Sequence, residues 1–313
     1  MNTVRVKAYA KVNLTLEIVG QGSDERGEYH ALDSLVASVD IFDYIVLKKR
    51  KDALSSVIMH GQGSECIPPE QNNALKAAEA FSKKFGVNGA NITVHKNIPM
   101  GAGLGGSSAD VCGVLRGMAK LYKIDDENAI ATLADELGSD TRYMLKGGFM
   151  RMRGRGNELS PTGIVETLHL LLLCPNSSVS SGGCYRAYDG LNAGFTAGEN
   201  TEKCVAALSR GDINEGGRYL TNALFQSAVT LNPDVQIAQN EAESFSPLGA
   251  VMTGSGSAVA ALFETKELCE WAKSRYRGKF RAIVTKTVIP QNLENRGWRN
   301  PFALNKHEET DNG

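Results

Sequence analysis

A glycine- and serine-rich run at residues 101–110 is the part of this 313-residue chain best suited to bind a phosphate group. It follows a short alternating apolar stretch, 90–94, that is typical of a half-buried strand, and it precedes apolar residues at helical spacing. Glycines let the backbone approach an anion closely, and the free N–H groups and positive dipole end of a helix beginning here would face that anion. We expect Ser107 or Ser108 to be the N-cap of this helix. The run therefore predicts a loop that binds a nucleoside triphosphate through its backbone.

Two better-known phosphate loops do not fit this run. A Walker A loop would place a lysine directly after its last glycine, and no lysine follows Gly105 or Gly106. A dinucleotide-binding fingerprint would lie in the first strand–helix–strand unit, with an acidic residue about 20 positions later. Asp125 and Asp126 lie near that spacing, but the polar segment around them is typical of a helix end. A flexible turn remains the alternative to a phosphate loop of another kind.

Phosphoryl transfer at such a loop would need a general base and a cation from elsewhere in the chain. Asp140 lies just after a predicted helix and beside Gly138, where its carboxylate could accept the proton of an acceptor hydroxyl. Lys11 could stabilise phosphoryl charge or keep that aspartate ionised. Residues 4–18 alternate between apolar and polar types, so Lys11 and Asn13 share the polar face of a strand or strand pair, about 7 Å apart. The alternatives are a solvated lysine and an aspartate that caps a helix, because the sequence alone does not bring the two together.

Composition and charge give no sign of a polymeric partner. Lys and Arg total 34 against 35 for Asp and Glu, so the net charge of −1 gives no general attraction for nucleic acid or membranes. The six cysteines are scattered without Cys-x-x-Cys pairs, which indicates neither a zinc site nor a disulfide framework and favours a reducing compartment. The first residues lack the apolar core of a signal peptide, and the most apolar run, 168–174, is far shorter than the roughly 20 residues of a membrane span. We expect a cytoplasmic protein, monomeric or homodimeric, with no nucleic-acid or membrane partner.

The rest of the chain is predicted to alternate between strands and helices that position these residues. A composition shift near residue 175 indicates a lobe boundary, and the polar, Asn-rich segment after Val288 is expected to be poorly ordered. The expected domains are 1–160, 161–290 and a polar tail, 291–313. Beyond the segments already named, we expect a polar loop at 20–28, strands at 35–39, 41–47, 168–173 and 258–263, and helices at 72–85, 127–137, 201–209, 233–245 and 268–276.

Five motifs, in this order and spacing, resemble those of the GHMP-type small-molecule kinases. They are Lys11-Val-Asn-Leu, Gly27-Glu-Tyr-His30, the long run at 99–110, Gly138-Ser-Asp140 and Gly254-Ser-Gly-Ser257. The resemblance covers about residues 4–288. It is strongest to the branch of the family that phosphorylates an erythritol derivative attached to cytidine diphosphate, an intermediate of non-mevalonate isoprenoid synthesis. It implies a two-lobe α+β GHMP kinase fold, in which the N-terminal lobe resembles ribosomal protein S5 domain 2 and the C-terminal lobe is ferredoxin-like.

The resemblance also implies which residues bind ATP and catalyse the transfer. Lys11 and Asp140 match the family's catalytic pair, with Asp140 as the general base and Lys11 as the cation that orients and stabilises the site. Mg²⁺ is expected to accompany ATP, and the sequence does not identify its ligands beyond Ser108 as a candidate. The ATP loop would comprise Pro99, Met100, Gly101, Ala102, Gly103, Leu104, Gly105, Gly106, Ser107, Ser108 and Ala109.

The acceptor implied by the resemblance is a cytidylated alcohol. Tyr29 and His30 match the residues with which the family recognises cytidine, and Asn13 would help to position the acceptor. Tyr185 lies where the family places an aromatic residue that stacks on the base. Stacking together with hydrogen bonds to the edge of the base would select cytosine.

Three segments depart from the family's pattern. Thr141 and Arg142 follow Asp140 in place of Val-Pro, so a positive charge is expected near the carboxylate, where it would lower its basicity or hold a substrate phosphate. The segment 181–184 is more flexible than the usual Ser/Thr-rich lead to the aromatic residue, and 222–226 lacks the usual acidic residues. Two other functions remain open: a GHMP kinase of another alcohol, such as mevalonate or homoserine, and a pseudokinase that binds nucleotide without turnover. The base-recognition pair argues against the first, and the catalytic pair argues against the second.

Overall fold

The computed structural model describes residues 2–25, 27–61 and 67–290. The predicted polar tail, 291–313, lies outside these residues, and the expectation about its order stays a prediction. The described strands are β1 (Thr3–Asn13), β2 (Thr15–Asp24), β3 (Gly27–Lys49), β4 (Ser56–His60), β5 (Ala90–His95), β6 (Phe149–Gly154), β7 (Glu158–Pro161), β8 (His169–Cys174), β9 (Thr221–Asn222), β10 (Gly249–Met252), β11 (Val259–Phe263) and β12 (Arg281–Lys286).

The described helices are α1 (Asn73–Phe85), α2 (Gly106–Tyr122), α3 (Glu127–Leu137), α4 (Thr141–Lys146), α5 (Ser181–Leu191), α6 (Glu199–Ser209), α7 (Ile213–Arg218), α8 (Phe225–Leu231), α9 (Asp234–Glu243) and α10 (Lys266–Arg275). A 3₁₀ turn spans Pro69–Gln71. None of the described helices combines the length and the apolar character that a membrane crossing requires.

Within the described residues, the strands form two sheets. The larger sheet follows the order β4-β5-β3-β2-β9, with β1 and β6 also paired to β3, and β7 paired to β6. The smaller sheet is antiparallel and has the order β10-β11-β8-β12. Helix α2 packs on β1 and β3, while α9 and α10 pack on the smaller sheet. The expected α+β architecture is confirmed.

The uninterrupted apolar run of β8 is explained by its place between two hydrophobic cores. Leu170 and Leu172 belong to the core that includes β1 and α2, whereas Leu171 and Leu173 belong to the core that includes α9 and α10. Because successive side chains of a strand point to opposite faces, a strand that is covered on both faces needs an apolar residue at every position. Strand β9 follows β8 in the chain but pairs with β2 in the larger sheet, so the chain returns to that sheet after residue 160. The domain boundary at residue 160 stays a prediction.

Strand β3 is longer than the sequence predicts. The pattern favours separate strands at 35–39 and 41–47, but β3 runs through 23 residues without a break. The polar loop expected at 20–28 is also wrong for most of its length, because β2 and β3 form a hairpin whose pairing extends to Asp24 opposite Gly27. The ladder of a hairpin is made by backbone groups, so polar side chains do not prevent it. As a result, Tyr29 and His30, which follow the expected loop, lie in the paired part of β3.

The start of α1 and the whole of α3 follow their sequence signals. Asn72 caps α1, since its Oδ1 accepts hydrogen bonds from the backbone N–H of Ala74 at 3.0 Å and of Leu75 at 3.2 Å. Helix α3 has the predicted bounds, and Asp126 caps it through the N–H of Ala129. A short polar side chain at the N-cap satisfies N–H groups that the helix itself leaves unbonded.

The start of α2 differs from its prediction, and the reason lies in its tertiary contacts. The expected caps, Ser107 and Ser108, both lie in the first turn, and the N-cap is Gly105 with a φ of +71°. A Cβ atom added to Gly105 would come within 2.3 Å of Met144 Cε and 3.1 Å of Lys11 Cγ. Only glycine combines this backbone conformation with this close approach.

Candidate active site

A cleft of about 830 Å³ is lined by residues from both lobes. The residues that the sequence assigns to catalysis, to ATP and to the acceptor all line this cleft, with the exception of Ala109. Ala109 is buried in the core instead, so its side chain does not reach the cleft. The structure therefore brings together residues that lie as far apart in the chain as Lys11 and Tyr185.

The phosphate loop connects β5 to α2 and is fixed by the other lobe. Its Gly103 has a φ of +74°, and a Cβ atom there would lie 2.1 Å from the carbonyl oxygen of Thr253. The hydroxyl of Thr253 donates to the carbonyl of Gly103 at 3.3 Å, and the N–H of Ala258 donates to the carbonyl of Ala102 at 3.1 Å. Glycine is needed here because the backbone of the loop lies directly on the backbone of a facing turn.

The N-terminus of α2 provides the donors that an anion requires. The N–H of Ala109 makes the first intrahelical bond, to the carbonyl of Gly105 at 2.8 Å. The N–H groups of Gly106, Ser107 and Ser108 precede that bond and have no acceptor within the helix. They lie at the positive end of the helix dipole and beside the cleft, so they can bind a phosphate group without a Walker lysine.

Lys11 and Asn13, at the end of the polar face of β1, are buried in the cleft, so the alternative of a solvated lysine is wrong. The Lys11 side chain is only 6% exposed, and its Nζ lies 3.5 Å from Oδ2 of Asp140. The same Nζ donates a hydrogen bond to Oδ1 of Asn13 at 2.5 Å. The backbone N–H of Lys11 donates to the carbonyl of Leu104 at 3.0 Å, which joins β1 directly to the phosphate loop.

Asn13 is held from three sides. Its backbone N–H donates to Oγ1 of Thr253 at 2.9 Å, and its Nδ2 donates to Oγ of Ser34 at 2.8 Å. Ser34 donates in turn to the carbonyl of Thr15. Because Thr253 also donates to the phosphate loop, one hydroxyl connects β1, the loop and the smaller sheet.

The Asp140 carboxylate is directed to Lys11 and does not cap its own helix. Asp140 is the N-cap residue of α4, yet its side chain makes no cap hydrogen bond and is 29% exposed. An N-cap aspartate usually accepts a hydrogen bond from the helix N-terminus. The Arg142 guanidinium, expected near this carboxylate, pairs through Nε with Oδ2 of Asp135 on α3 at 3.2 Å. The carboxylate thus faces the cleft with oxygen atoms accessible to a second ligand.

Aromatic rings gather at the other end of the cleft. The rings of His30 and Tyr185 stack with their centroids 5.0 Å apart and an interplanar angle of 23°. His30 Nε2 lies 2.7 Å from Oδ1 of Asp189 on α5. The guanidinium of Arg155 lies over the ring of Tyr29, 4.5 Å from its centroid. His30 and Tyr185 are therefore in contact, with Asp189 beside them, and Tyr29 lines the same cleft in contact with Arg155.

Burial favours the neutral form of the Tyr185 and Tyr188 phenols. Burial raises the pKa of Tyr185 well above its ordinary value, and the nearby charge of Asp140 adds to the increase. Burial also raises the pKa of Tyr188, which packs edge-on against His30. Neutral aromatic rings with a polar tip are suited to stack on a nucleobase.

A buried charged cluster behind the phosphate loop is not signalled by the sequence. Lys96 Nζ donates to Oδ2 of Asp43 at 2.5 Å and to Oδ2 of Asp110 at 2.6 Å. Oδ1 of Asp43 accepts from the backbone N–H of Asn97 at 2.6 Å and of Ile98 at 2.9 Å. Within the described residues, Oδ1 of Asp110 has no hydrogen-bond partner. The cluster connects β3, the end of β5 and the first turns of α2, so it fixes both ends of the loop.

Asn222 is a second residue that the sequence gives no reason to select. It lies in the segment that lacks the usual acidic residues, and its Nδ2 donates to the carbonyls of Met252 at 2.6 Å and Gly254 at 2.8 Å. These bonds hold the turn that follows β10 close to Lys11. A Cβ atom added to Gly254 would lie 3.2 Å from Lys11 Nζ. In the sequence, the glycine motif at 254–257 signals this turn, but it does not signal Asn222.

Comparison with known proteins identifies the family. The GHMP kinases N terminal domain model matches residues 72–150, and the GHMP kinases C terminal model matches residues 204–280. The 4-diphosphocytidyl-2-C-methyl-D-erythritol kinase of Caldicellulosiruptor saccharolyticus is 32% identical over 286 residues, which are 90% of this chain and 96% of that protein. The chain belongs to the GHMP kinase family. It is accordingly an ATP-dependent kinase of a small molecule.

Solved structures of GHMP kinases have the same fold as this one. A crystal structure of 4-(cytidine 5'-diphospho)-2C-methyl-D-erythritol kinase matches with a TM-score of 0.73 and 28% identity, over 91% of this chain and 99% of that one. Homoserine kinase from Cytophaga hutchinsonii matches with a TM-score of 0.71 and 19% identity, over 92% and 95% of the two chains. The second match shows the fold alone. The predicted two-lobe GHMP kinase fold is confirmed.

Proposed function

We propose that this GHMP kinase transfers the γ-phosphoryl group of ATP to a hydroxyl of 4-diphosphocytidyl-2-C-methyl-D-erythritol. The products are the 2-phosphate and ADP, and the reaction belongs to the non-mevalonate route to isoprenoid precursors. The observation that carries the proposal is one continuous cleft with a phosphate loop, the Lys11–Asp140 pair and an aromatic cluster suited to a base. The name shared by the curated relatives at about 30% identity supports the same acceptor.

The two substrates occupy opposite ends of the cleft. The phosphates of ATP bind the N–H groups at the start of α2, and the cytidine of the acceptor binds among Tyr29, His30 and Tyr185. Base stacking contributes about 1–3 kcal/mol per base, which is enough to distinguish a cytidylated alcohol from the bare alcohol. Lys11, Asn13 and Asp140 lie between the two ends, where the acceptor hydroxyl meets the γ-phosphorus.

The catalytic step is an in-line displacement with Asp140 as the general base. Its carboxylate takes the proton of the acceptor hydroxyl, the hydroxyl oxygen forms a bond to the γ-phosphorus, and the bond to the β–γ bridging oxygen breaks to release ADP. Lys11 places a positive charge beside the carboxylate and the transferring group, and its bond to Asn13 keeps the ammonium in place. Positioning and charge stabilisation of this kind supply most of the catalysis in phosphoryl transfer.

Mg²⁺ would accompany ATP in this proposal, because a divalent cation would offset the negative charge of the phosphates. Within the described residues there is no group of three or more His, Cys, Asp or Glu side chains that could hold a metal. Such a cage is not required, since Mg²⁺ commonly takes one or two protein oxygens together with phosphates and water. The Ser108 hydroxyl fits that role, because it lies at the phosphate loop and 3.9 Å from a Cβ position on Gly138, two residues before Asp140.

The remaining properties of the chain fit a cytoplasmic metabolic enzyme. The five described cysteines are free thiols in buried positions, as in proteins of a reducing compartment. The near-zero net charge favours small substrates over nucleic acid or membranes. All the proposed site residues belong to one chain, so activity is expected from a monomer or from either half of a homodimer.

Acceptor-dependent ADP release tests the proposal. The purified protein is assayed with MgATP by coupled oxidation of NADH, using 4-diphosphocytidyl-2-C-methyl-D-erythritol, 2-C-methyl-D-erythritol, mevalonate and homoserine as separate acceptors. The proposal predicts ADP release with the cytidylated compound and none above background with the other three. Turnover with another alcohol alone would contradict the assigned acceptor, and ATP binding without turnover on any acceptor would favour a pseudokinase.

A further inference from the structure

Arg155 lies at the acceptor end of the cleft and outside the set of residues selected from the sequence. It follows the last residue of β6, and its side chain is 24% exposed. Its guanidinium contacts both the end of the β2–β3 hairpin and the ring of Tyr29.

The guanidinium clamps the hairpin with three hydrogen bonds. Nε donates to Oδ2 of Asp24 at 2.9 Å, and Nη2 donates to Oδ1 of Asp24 at 2.7 Å. Nη2 also donates to the carbonyl of Gly27 at 2.7 Å. Asp24 and Gly27 are the last paired residues of the hairpin, so Arg155 fixes the point where β2 turns into β3. The paired, bidentate geometry also fixes the plane of the guanidinium.

The same guanidinium covers the ring of Tyr29. The Arg155 Cζ atom lies 4.5 Å from the centre of the ring, within the range of a cation–π contact. Gly22 is the cross-strand partner of Tyr29, and a Cβ atom on Gly22 would come within 2.6 Å of Tyr29 Cζ. The ring is thus confined by Gly22 and by Arg155, and few other orientations are open to it.

We propose that Arg155 is a positioning residue for the acceptor base, which it serves by holding the Tyr29 ring and the hairpin that carries it. The inference rests on the proposed function, because it assumes that Tyr29 contacts cytidine. The competing role for an arginine in this position is a direct contact with the diphosphate of the acceptor. The hydrogen bonds argue against that role, since Nε and Nη2 are already donated to Asp24 and Gly27, and the Asp24 carboxylate offsets the positive charge.

Equilibrium binding separates the two roles without requiring turnover. The affinities of the full-length protein for cytidine and for CDP are measured by isothermal titration calorimetry, with a non-hydrolysable ATP analogue as reference ligand. The variants are Arg155→Ala and Asp24→Ala, and the matched control is Arg153→Ala. Arg153 lies two residues earlier in the chain, is half-exposed and contacts Asp33 at 3.6 Å.

A positioning role predicts that both Arg155→Ala and Asp24→Ala weaken cytidine and CDP by the same factor, about tenfold. The loss is equal for both ligands because the base, rather than the phosphates, loses its partner. Affinity for the ATP analogue stays within about twofold in both variants, and Arg153→Ala stays within about twofold for all ligands.

Other outcomes would overturn the inference. If Arg155→Ala weakened CDP but left cytidine unchanged, and Asp24→Ala left CDP unchanged or bound it more tightly, Arg155 would be a phosphate ligand. Unchanged affinity for both ligands in Arg155→Ala would show that the clamp does not affect the base. If the unaltered protein bound the ATP analogue but neither cytidine nor CDP, the proposed acceptor itself would be wrong, and this inference would be lost with it.

Discussion

The buried carboxyl of Asp110 is expected to make the fold less stable as the pH rises, and Asp110→Asn is expected to remove that dependence. Burial raises the pKa of Asp110 from its ordinary 3.8 to about 8, with the charge of Lys96 opposing the increase and that of Asp43 adding to it. The unpartnered Oδ1 of Asp110 fits this interpretation, because a protonated carboxyl loses less on burial than a carboxylate does.

The size of the effect follows from proton counting. The unfolded chain releases the Asp110 proton near its ordinary pKa, whereas the folded chain keeps it until the pH approaches the raised value. A raised carboxyl pKa contributes stability that is present at low pH and is lost as the pH rises through the folded-state pKa. Between about pH 5 and 7 the folded state binds one more proton, so this single group lowers the free energy of unfolding by up to about 1.4 kcal/mol per pH unit.

Urea unfolding of the nucleotide-free protein at pH 5, 6, 7 and 8 measures this slope. At each step to higher pH, the free energy of unfolding of the unaltered protein is expected to fall relative to that of Asp110→Asn, by up to about 1.4 kcal/mol per pH unit. Asp52→Asn is the matched control, since the hydrogen bond from Arg50 lowers the pKa of this exposed carboxyl and keeps it ionised throughout the range. Parallel stability curves for Asp110→Asn and the unaltered protein would refute the reasoning.

Three further predictions concern the cleft. Asp140→Asn is expected to lower kcat, measured by steady-state kinetics, by about 10²–10⁴-fold. Affinity for ATP, measured by titration of the protein with ATP, is expected to stay within about threefold. A near-normal kcat would show that Asp140 is not the general base. Gly22→Ala is expected to displace the Tyr29 ring and raise the acceptor KM several-fold. Gly20→Ala is the control, because the added Cβ has no atom within 4 Å, and it is expected to leave the acceptor KM unchanged. Equal acceptor KM values for the two variants would contradict the placement of Tyr29. Thr253→Val leaves the buried N–H of Asn13 and the carbonyl of Gly103 without their partner, so we expect the free energy of unfolding to fall by about 1–3 kcal/mol and kcat/KM to fall as well. Thr253→Ser, which keeps the hydroxyl, should restore both. A valine variant as stable and active as the serine variant would exclude the bridging role of the hydroxyl.

Elements defined by local signals are predictable from the sequence. The bounds of α3 and the cap at Asn72 follow from helical spacing and from a side chain that bonds to N–H groups within its own first turn. The apolar run of β8 likewise reveals a strand that is covered on both faces. In each case the residues that decide the structure lie within a few positions of one another.

Features decided by tertiary contacts are not predictable in this way. The cap at Gly105 depends on the side chains of Lys11 and Met144, which lie far away in the chain. The Lys96 cluster joins residues separated by 53 and 14 positions, and charged residues ordinarily indicate a solvated surface. The clamp of Arg155 on Asp24 depends on the register of a hairpin in a segment whose polarity favours a loop.

The candidate site lies between these extremes. The phosphate loop is apparent from its glycines and from the helix that follows, whereas the pairing of Lys11 with Asp140 comes from the resemblance and is invisible to periodicity. Their 3.5 Å separation results from the β1 ladder, the loop and the turn at Gly254 acting together. No short window of the sequence contains that information.

The transfer itself is tested most directly by ³¹P NMR of the protein incubated with MgATP and 4-diphosphocytidyl-2-C-methyl-D-erythritol. We predict a new phosphomonoester resonance, attached to the acceptor at its 2-position, that grows in step with ADP and is nearly absent with Asp140→Asn. Formation of ADP with inorganic phosphate alone, or of no product at all, would contradict the account.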